Sequence, residues 1–182
     1  MKYLALMYIA FSLFSCNGID KDNLKKTDEL NAFFLATNEK FNAIDSATLF
    51  TAQKQIQEDL HKIHSLTDSI DEKTVQLIFQ IYPNQTQIDF AANNYNLIFT
   101  EIKKSEQQLA SLQNDVKNNA VTNENLIKYI EIEYQILEQL NNLMDSSYMG
   151  LSGMIENMKN QTQKKDSLIQ YLEKQNSSTF VN

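Results

Sequence analysis

Residues 86–118 read TQIDFAANNYNLIFTEIKKSEQQLASLQNDVKN, and this stretch decides the fold class. A seven-residue repeat of large side chains runs through it, at Ile88, Tyr95, Ile102, Leu109 and Val116. Such a repeat places apolar side chains along one stripe of an α-helix. The sequence therefore predicts a long amphipathic helix over about Thr86–Asn118, with one face buried against other helices.

Two neighbouring stretches carry the same repeat. The first predicts a helix over about Ala47–Ile81, with its stripe at Leu49, Ile56, Ile63, Ile70 and Leu77. Pro83 ends it, since the residue before a proline is pushed out of helical geometry. The second predicts a helix over about Glu124–Gln175, capped by Thr122 or Asn123. Its stripe is interrupted by Lys165 and consists of Ile130, Leu137, Met144, Leu151, Met158 and Leu172.

Two further features set helix boundaries. A shorter helix is predicted over about Leu24–Ile44, and Asp45–Ser46 ends it because either residue is a good N-cap for the next helix. Gly150 and Gly153 lie inside the last predicted helix, where each glycine costs about 1 kcal/mol relative to alanine. The apolar stripe stays in phase across them, which favours a continuous or bent helix over two helices divided by a loop.

Composition supports the same fold class. The 182 residues include only 3 Gly and 1 Pro, far below the roughly 12% that these two residues ordinarily provide. Sandwiches, barrels and doubly wound α/β domains need many tight turns, so all three are disfavoured. Short connections at Pro83 and Asn119 make successive helices antiparallel. We therefore predict an all-α fold, an elongated antiparallel helical bundle with coiled-coil-like heptad packing.

Charge argues against one class of partner. The formal net charge is −7, and all 16 basic residues are lysines. Nucleic-acid binding depends on neutralising phosphates, and arginine is the residue that grips a phosphate in two parallel hydrogen bonds. We therefore predict that the protein does not bind nucleic acid.

The N-terminus has the features of an export signal. Met1–Lys2 is followed by the apolar run Tyr3–Phe14, which is too short to span a bilayer and suits a secretory signal. The only cysteine, Cys16, follows directly in Leu13-Phe14-Ser15-Cys16. This tetrapeptide resembles the lipobox of bacterial lipoproteins. The resemblance implies that Cys16 becomes diacylglyceryl-modified and that the signal is cut after Ser15.

That resemblance implies a signal peptide (1–15) and a lipidated linker (16–23). The apolar repeat predicts a helical bundle domain (24–176), followed by a tail (177–182). The resemblance also implies a cell-envelope location, lipid-anchored, in the outer membrane of a Gram-negative bacterium, with the membrane itself as a partner through the lipid on Cys16. Two or more acyl chains anchor a protein stably, at about 0.8 kcal/mol per buried methylene. A plain cleaved signal with a stray cysteine and an uncleaved anchor are the alternatives, and the face of the membrane is left open.

Two groups of side chains are candidates for a chemical site. Four potential metal ligands, Glu58, His61, His64 and Asp68, follow one another at helical spacing. Ligands along one straight helix cannot close a tetrahedron, so we interpret them as a solvent-exposed polar face. Glu133 interrupts the apolar stripe. It suggests acid–base chemistry, or else a polar residue that either fixes register or lies at the edge of the stripe with its carboxylate in water, and we favour a non-catalytic residue. We predict no metal site, no cofactor and no catalytic residue.

Two further groups of residues, four methionines and three serines, suggest additional hypotheses. Met144, Met149, Met154 and Met158 cluster near the two glycines, and core filling is favoured over an adaptable partner surface because Met144, Met154 and Met158 lie in the apolar stripe. Ser46, Ser69 and Ser167 each follow an aspartate and precede an aliphatic residue or alanine, which resembles an O-glycosylation motif of some Gram-negative envelope proteins. The functional prediction is a non-enzymatic envelope lipoprotein whose bundle serves as an interaction, spacer or adaptor module with a protein partner. The alternative is a periplasm-facing bundle that binds a small molecule or metal.

Overall fold

The computed structural model describes residues 21–66 and 71–179, and helices make up almost all of these two ranges. In chain order they are α1 (Lys21–Asn42), α2 (Ser46–Ser65), α3 (Glu72–Ile81), α4 (Gln85–Lys117), α5 (Asn123–Tyr148), α6 (Leu151–Asn160) and α7 (Thr162–Thr179). The described ranges contain no β-strand. The predicted all-α helical bundle is therefore confirmed, while coiled-coil heptad packing stays a prediction.

Predicted helix caps are found at two positions. Asp45 caps α2, where its side chain accepts a hydrogen bond from the Thr48 backbone N–H at 3.0 Å. Thr122 caps α5, with its hydroxyl accepting from the Asn125 backbone N–H at 3.3 Å. Each bond satisfies a donor that the first helical turn leaves free.

The prediction of one helix over Ala47–Ile81 was wrong. Helix α2 ends at Ser65, and the Leu66 backbone N–H donates to the Ile63 carbonyl as its C-cap. Helix α3 then begins after Asp71, whose carboxylate accepts a hydrogen bond from the Thr74 backbone N–H at 2.7 Å. The N-cap role of Asp71 outweighs the continuity of the apolar stripe, because a short aspartate side chain competes well for free backbone donors.

The favoured continuous helix over Glu124–Gln175 was also wrong. Met149 is extended and Gly150 is left-handed with φ +72°, so α5 stops at Tyr148. A second break follows at Gln161, between α6 and α7. Glycine accepts a positive φ without the steric penalty of a side chain, which explains why the first break falls at Gly150.

The two glycines give a matched test of this break. We expect Gly150→Ala to lower the free energy of unfolding by about 1 kcal/mol, since an alanine in the left-handed region is strained. Gly153 lies within α6, and a Cβ there would meet no atom within 4 Å. Gly153→Ala should therefore raise the free energy of unfolding by about 0.5–1 kcal/mol. Urea denaturation of both variants measures the difference, and equal effects would contradict the assigned turn.

Two buried clusters of apolar side chains hold the helices together. The first, here the Ile56 core, joins α2, α3, the beginning of α4, α6 and α7, and includes Leu49, Ile56, Ile63, Ile81, Ile88, Ile155 and Leu168. The second, here the Leu137 core, joins α1, the rest of α4 and α5, and includes Leu30, Phe34, Ile98, Ile102, Leu109, Leu126, Leu137 and Met144. Helix α4, about 50 Å long at 1.5 Å per residue, runs through both.

These cores confirm the buried faces predicted from the repeat. Ile88, Ile102 and Leu109 of α4 are buried, and so are Ile130 and Leu137 of α5. Within the described ranges, none of the helices has the length and apolar character needed to cross a membrane.

Candidate functional site

A cleft of about 480 Å³ opens where α2, the end of α3, α6 and α7 meet beside the Ile56 core. Its wall is apolar at Ala52, Ile81, Ile155 and Met158. Its polar groups include Thr48, Thr51, Gln55, Asp59, Lys159 and Lys165. A cavity of this size, apolar with a few convergent polar groups, has the properties of small-molecule sites.

Asp59 lines this cleft and accepts hydrogen bonds from two neighbouring side chains. It lies on the inner face of α2 between Ile56 and Ile63, so the helix carries its carboxylate into the core with them. One carboxylate oxygen, Oδ1, accepts from Gln55 Nε2 at 3.0 Å. The other, Oδ2, accepts from the Tyr82 hydroxyl at 2.7 Å and lies 3.4 Å from Lys165 Nζ. A buried carboxylate needs such partners, because burial without them costs several kcal/mol.

Tyr82 enters the cluster from the end of α3. It is the C-cap residue of α3 and directly precedes Pro83, and its backbone leaves helical geometry with φ −120° and ψ 56°. Its side chain reaches α2 at Asp59. Burial raises the pKa of the Tyr82 phenol far above its usual 10, and the hydrogen bond to Asp59 raises it further. Tyr82 therefore stays protonated and acts as a hydrogen-bond donor at physiological pH.

Lys165 supplies the balancing charge from α7. It is the residue that interrupts the apolar stripe, and its side chain is only 18% exposed, against 11% for Asp59. Such a pair is mostly withdrawn from water and needs good geometry to offset its desolvation. Within the described part of the chain, the Lys165 ammonium contacts this one carboxylate, which leaves two of its three N–H donors for water or a ligand.

No protein-family model, curated protein or solved structure matches this chain. Any function is therefore inferred from its own residues.

Three of the four candidate metal ligands lie outside this cleft. Glu58, His61 and His64 are exposed on the outer face of α2, and Glu58 pairs with Lys54 at 3.6 Å. Their predicted position on a solvent-exposed face is confirmed. Asp68 lies outside the described residues, and the described ranges contain no group of three side chains able to hold a metal.

The other positions singled out by the sequence are the lipidation site, the three candidate glycosylation sites and the methionines. Cys16 and Ser69 lie outside the described residues. Ser167 is exposed, and Ser46 is half-buried at the start of α2. The methionines divide, because Met144 is in the Leu137 core and Met158 packs against the Ile56 core, whereas Met149 is 75% exposed. Core filling is thus confirmed for Met144 and Met158, which lie in the predicted stripe, whereas Met149 lies outside that stripe and faces solvent.

Glu133 is buried at the interface between α5 and α4. Its carboxyl faces Ser105 of α4, yet Glu133 Oε2 and Ser105 Oγ each lack a hydrogen bond of good geometry among the described residues. Burial raises the pKa of Glu133 above its ordinary 4.5, and Ser105 opposes this shift to a lesser degree. The sequence identified Glu133 as a polar residue within an apolar stripe. Among the described contacts, no second acidic or basic side chain lies beside its carboxyl.

We expect Glu133→Gln to raise the free energy of unfolding at pH 7 by about 1 kcal/mol, because it removes a buried carboxylate without a good partner. The raised pKa means that protonated Glu133 stabilises the fold below pH 4.5, a contribution that is lost as pH rises through the raised pKa. The advantage of the variant should therefore shrink in acid. Denaturation from pH 4 to 8 tests this, with Glu131→Gln on the exposed face of α5 as control. A pH-independent difference would contradict it.

Proposed function

We propose that this protein is a cell-envelope lipoprotein, anchored through lipid on Cys16, whose helical bundle acts as a non-catalytic interaction, spacer or adaptor module. The position of the only cysteine supports the anchor, because it follows a short apolar run at the one place where lipidation would require it. A thiolate is the nucleophile that takes up a lipid as a thioether. The outer membrane of a Gram-negative bacterium is the proposed location.

The exposed apolar side chains of α4 and α5 support the interaction role. Phe90 and Leu97 lie seven residues apart on α4, and Leu97 is 52% exposed. Tyr129 and Ile132 lie three residues apart on α5, and Ile132 is also 52% exposed. The two helices pack against each other. Asn94 of α4 lies beside Ser147 of α5, and Ser105 lies beside Glu133, so the two apolar rows form separate patches that are offset along the bundle. Exposed apolar patches of this kind mark protein interfaces, and this observation carries the proposal of a protein partner.

Metabolic palmitate labelling tests the anchor. Wild-type protein should incorporate label, whereas Cys16→Ala should lose it completely and accumulate as unprocessed precursor. Ser12→Ala, within the same apolar run, is the matched control and should be processed normally. Normal processing of Cys16→Ala would overturn the lipoprotein assignment.

Site-specific photo-cross-linking in intact cells tests the partner. A photo-reactive residue at Leu97 or Ile132 should give a defined protein adduct, and one at Lys103, an exposed position of α4, should not. The adduct from position 97 should also be lost when Phe90→Asp places a charge in the same row of α4. Adducts that form equally from all three positions would contradict an apolar docking face.

Small-molecule binding is the second candidate function of the bundle, beside the interaction, spacer or adaptor role. The cleft supports it, because Asp59, Tyr82 and Lys165 converge inside a concave and largely apolar space. Such a site would operate independently of the lipid anchor.

A further inference from the structure

The charged side chains that line the cleft have more free hydrogen-bond donors than free acceptors. Both carboxylate oxygens of Asp59 are already engaged, by Gln55, Tyr82 and Lys165. The Lys165 ammonium retains two N–H donors, and Lys159 forms no ion pair within 4 Å among the described residues. A ligand that enters the cleft therefore meets lysine N–H donors without an acceptor, and a carboxylate with three of its roughly four lone-pair sites already engaged.

The charges that line the cleft lead to the same ligand class. Lys159 and Lys165 provide two positive charges, and Asp59 provides one negative charge. Among the residues that line the cleft, positive charges therefore outnumber negative charges by one, and the exposed Asp45 carboxylate acts on Lys159 only from outside this lining. This excess favours a ligand with a single negative charge. Hydrogen bonds between an ammonium and a carboxylate are shorter and stronger than neutral ones.

The remaining wall is apolar and supplies the other half of the site. Ala52 and Ile155 are buried members of the Ile56 core, and Met158 packs against them. Methionine adapts its shape to different apolar bodies. A second groove, of about 440 Å³ between α3 and α7, also contains two lysines, Lys73 and Lys164. Both are exposed, as Lys159 is, but this groove has neither a partly buried lysine like Lys165 nor a buried acid like Asp59.

We infer that the cleft beside α2 binds a small organic monoanion, a carboxylate attached to an apolar body. The carboxylate contacts Lys159 and the free donors of Lys165, and the apolar body lies against Ala52, Ile155 and Met158. This inference rests on the second candidate function and names its ligand class.

Direct binding of 4-phenylbutanoate tests it, with the full chain reconstituted in lipid nanodiscs and empty nanodiscs subtracted. The acid should bind saturably, and its neutral amide should bind about tenfold more weakly, the loss expected for one charge-assisted hydrogen bond. Lys159→Gln should weaken binding of the acid by a similar factor, whereas Lys164→Gln should leave it unchanged. Thr51→Phe should abolish binding, because it fills the cleft from an exposed position of α2 without removing a core side chain.

Each contrary result has a separate meaning. Equal binding of acid and amide would overturn the monoanion and leave a small-molecule cleft in place. An equal loss in Lys159→Gln and Lys164→Gln would overturn the specific lysine contact, since general attraction to the lysines would then explain binding. Absence of saturable binding for both probes at millimolar concentration would overturn the inference and the second candidate function together.

Discussion

Asp59→Ala is expected to lower the free energy of unfolding by about 3 kcal/mol, because removal of one partner from a buried ion pair strands the other. Lys165 would remain only 18% exposed without its counter-charge. The buried Tyr82 hydroxyl would lose its acceptor at 2.7 Å. Chemical denaturation at pH 7 measures the loss.

Glu58→Ala is a matched control for this change. Glu58 is the preceding residue of α2, and its carboxylate forms only an exposed pair with Lys54. Surface pairs of this type contribute about 0.3–0.5 kcal/mol, so the control should stay close to wild type. If the two alanine variants lost the same stability, the Asp59 cluster would not be holding α2, α3 and α7 together.

A double replacement separates the charge effect from the lost packing. Asp59→Leu with Lys165→Met removes both charges and keeps most of the apolar volume. Apolar replacements of a buried ion pair are often neutral, so the double variant should recover much of the stability lost in Asp59→Ala. The unpaired Tyr82 hydroxyl would remain as a smaller cost of about 1–3 kcal/mol, and Tyr82→Phe in the same background should relieve it. A double variant no more stable than Asp59→Ala would show that packing, and not charge, governs this position.

The fold was predictable from sequence where a periodic signal reports burial. Residues spaced by seven along α4 turn the same face inward, and Ile88, Ile102 and Leu109 are indeed buried. The helix ends were less predictable. The apolar stripe stays in phase through Gly150 and through Asp71, so periodicity could not reveal that each residue ends or begins a helix. Local backbone demands, a positive φ at Gly150 and an N-cap at Asp71, decide both breaks.

The cleft was only partly predictable, for a different reason. Lys165 was visible as the residue that interrupts the stripe of the last predicted helix. Asp59 was not, because the stripe predicted for this helix runs through Ile56 and Ile63 and does not include it. Tyr82 was visible only as part of a proline turn. Each residue is ordinary by itself, and their chemistry arises from contacts between distant segments that a single sequence does not disclose.

Leu137→Ala is expected to lower the free energy of unfolding by about 3 kcal/mol, the usual cost of a cavity at a fully buried leucine. Leu137 has no exposed surface and lies at the centre of its core, where α5 meets α1 and α4. Ile132→Ala, on the exposed side of the same helix, should change stability by less than about 0.5 kcal/mol. Thermal and urea denaturation of the two variants provide the comparison, and similar losses would mean that α5 is not packed as described.

The same variant also tests whether the two cores unfold together. Helix α4 contributes Ile88 to the Ile56 core and Ile98 to the Leu137 core without a break between them. A cavity at Leu137 should therefore weaken the whole bundle, since α4 cannot unwind in one core and keep its packing in the other. Hydrogen exchange should show backbone amides of α2 and α5 losing protection by the same free energy in Leu137→Ala. Loss confined to α1 and α5, with α2 fully protected, would instead make the Leu137 core an independent unfolding unit.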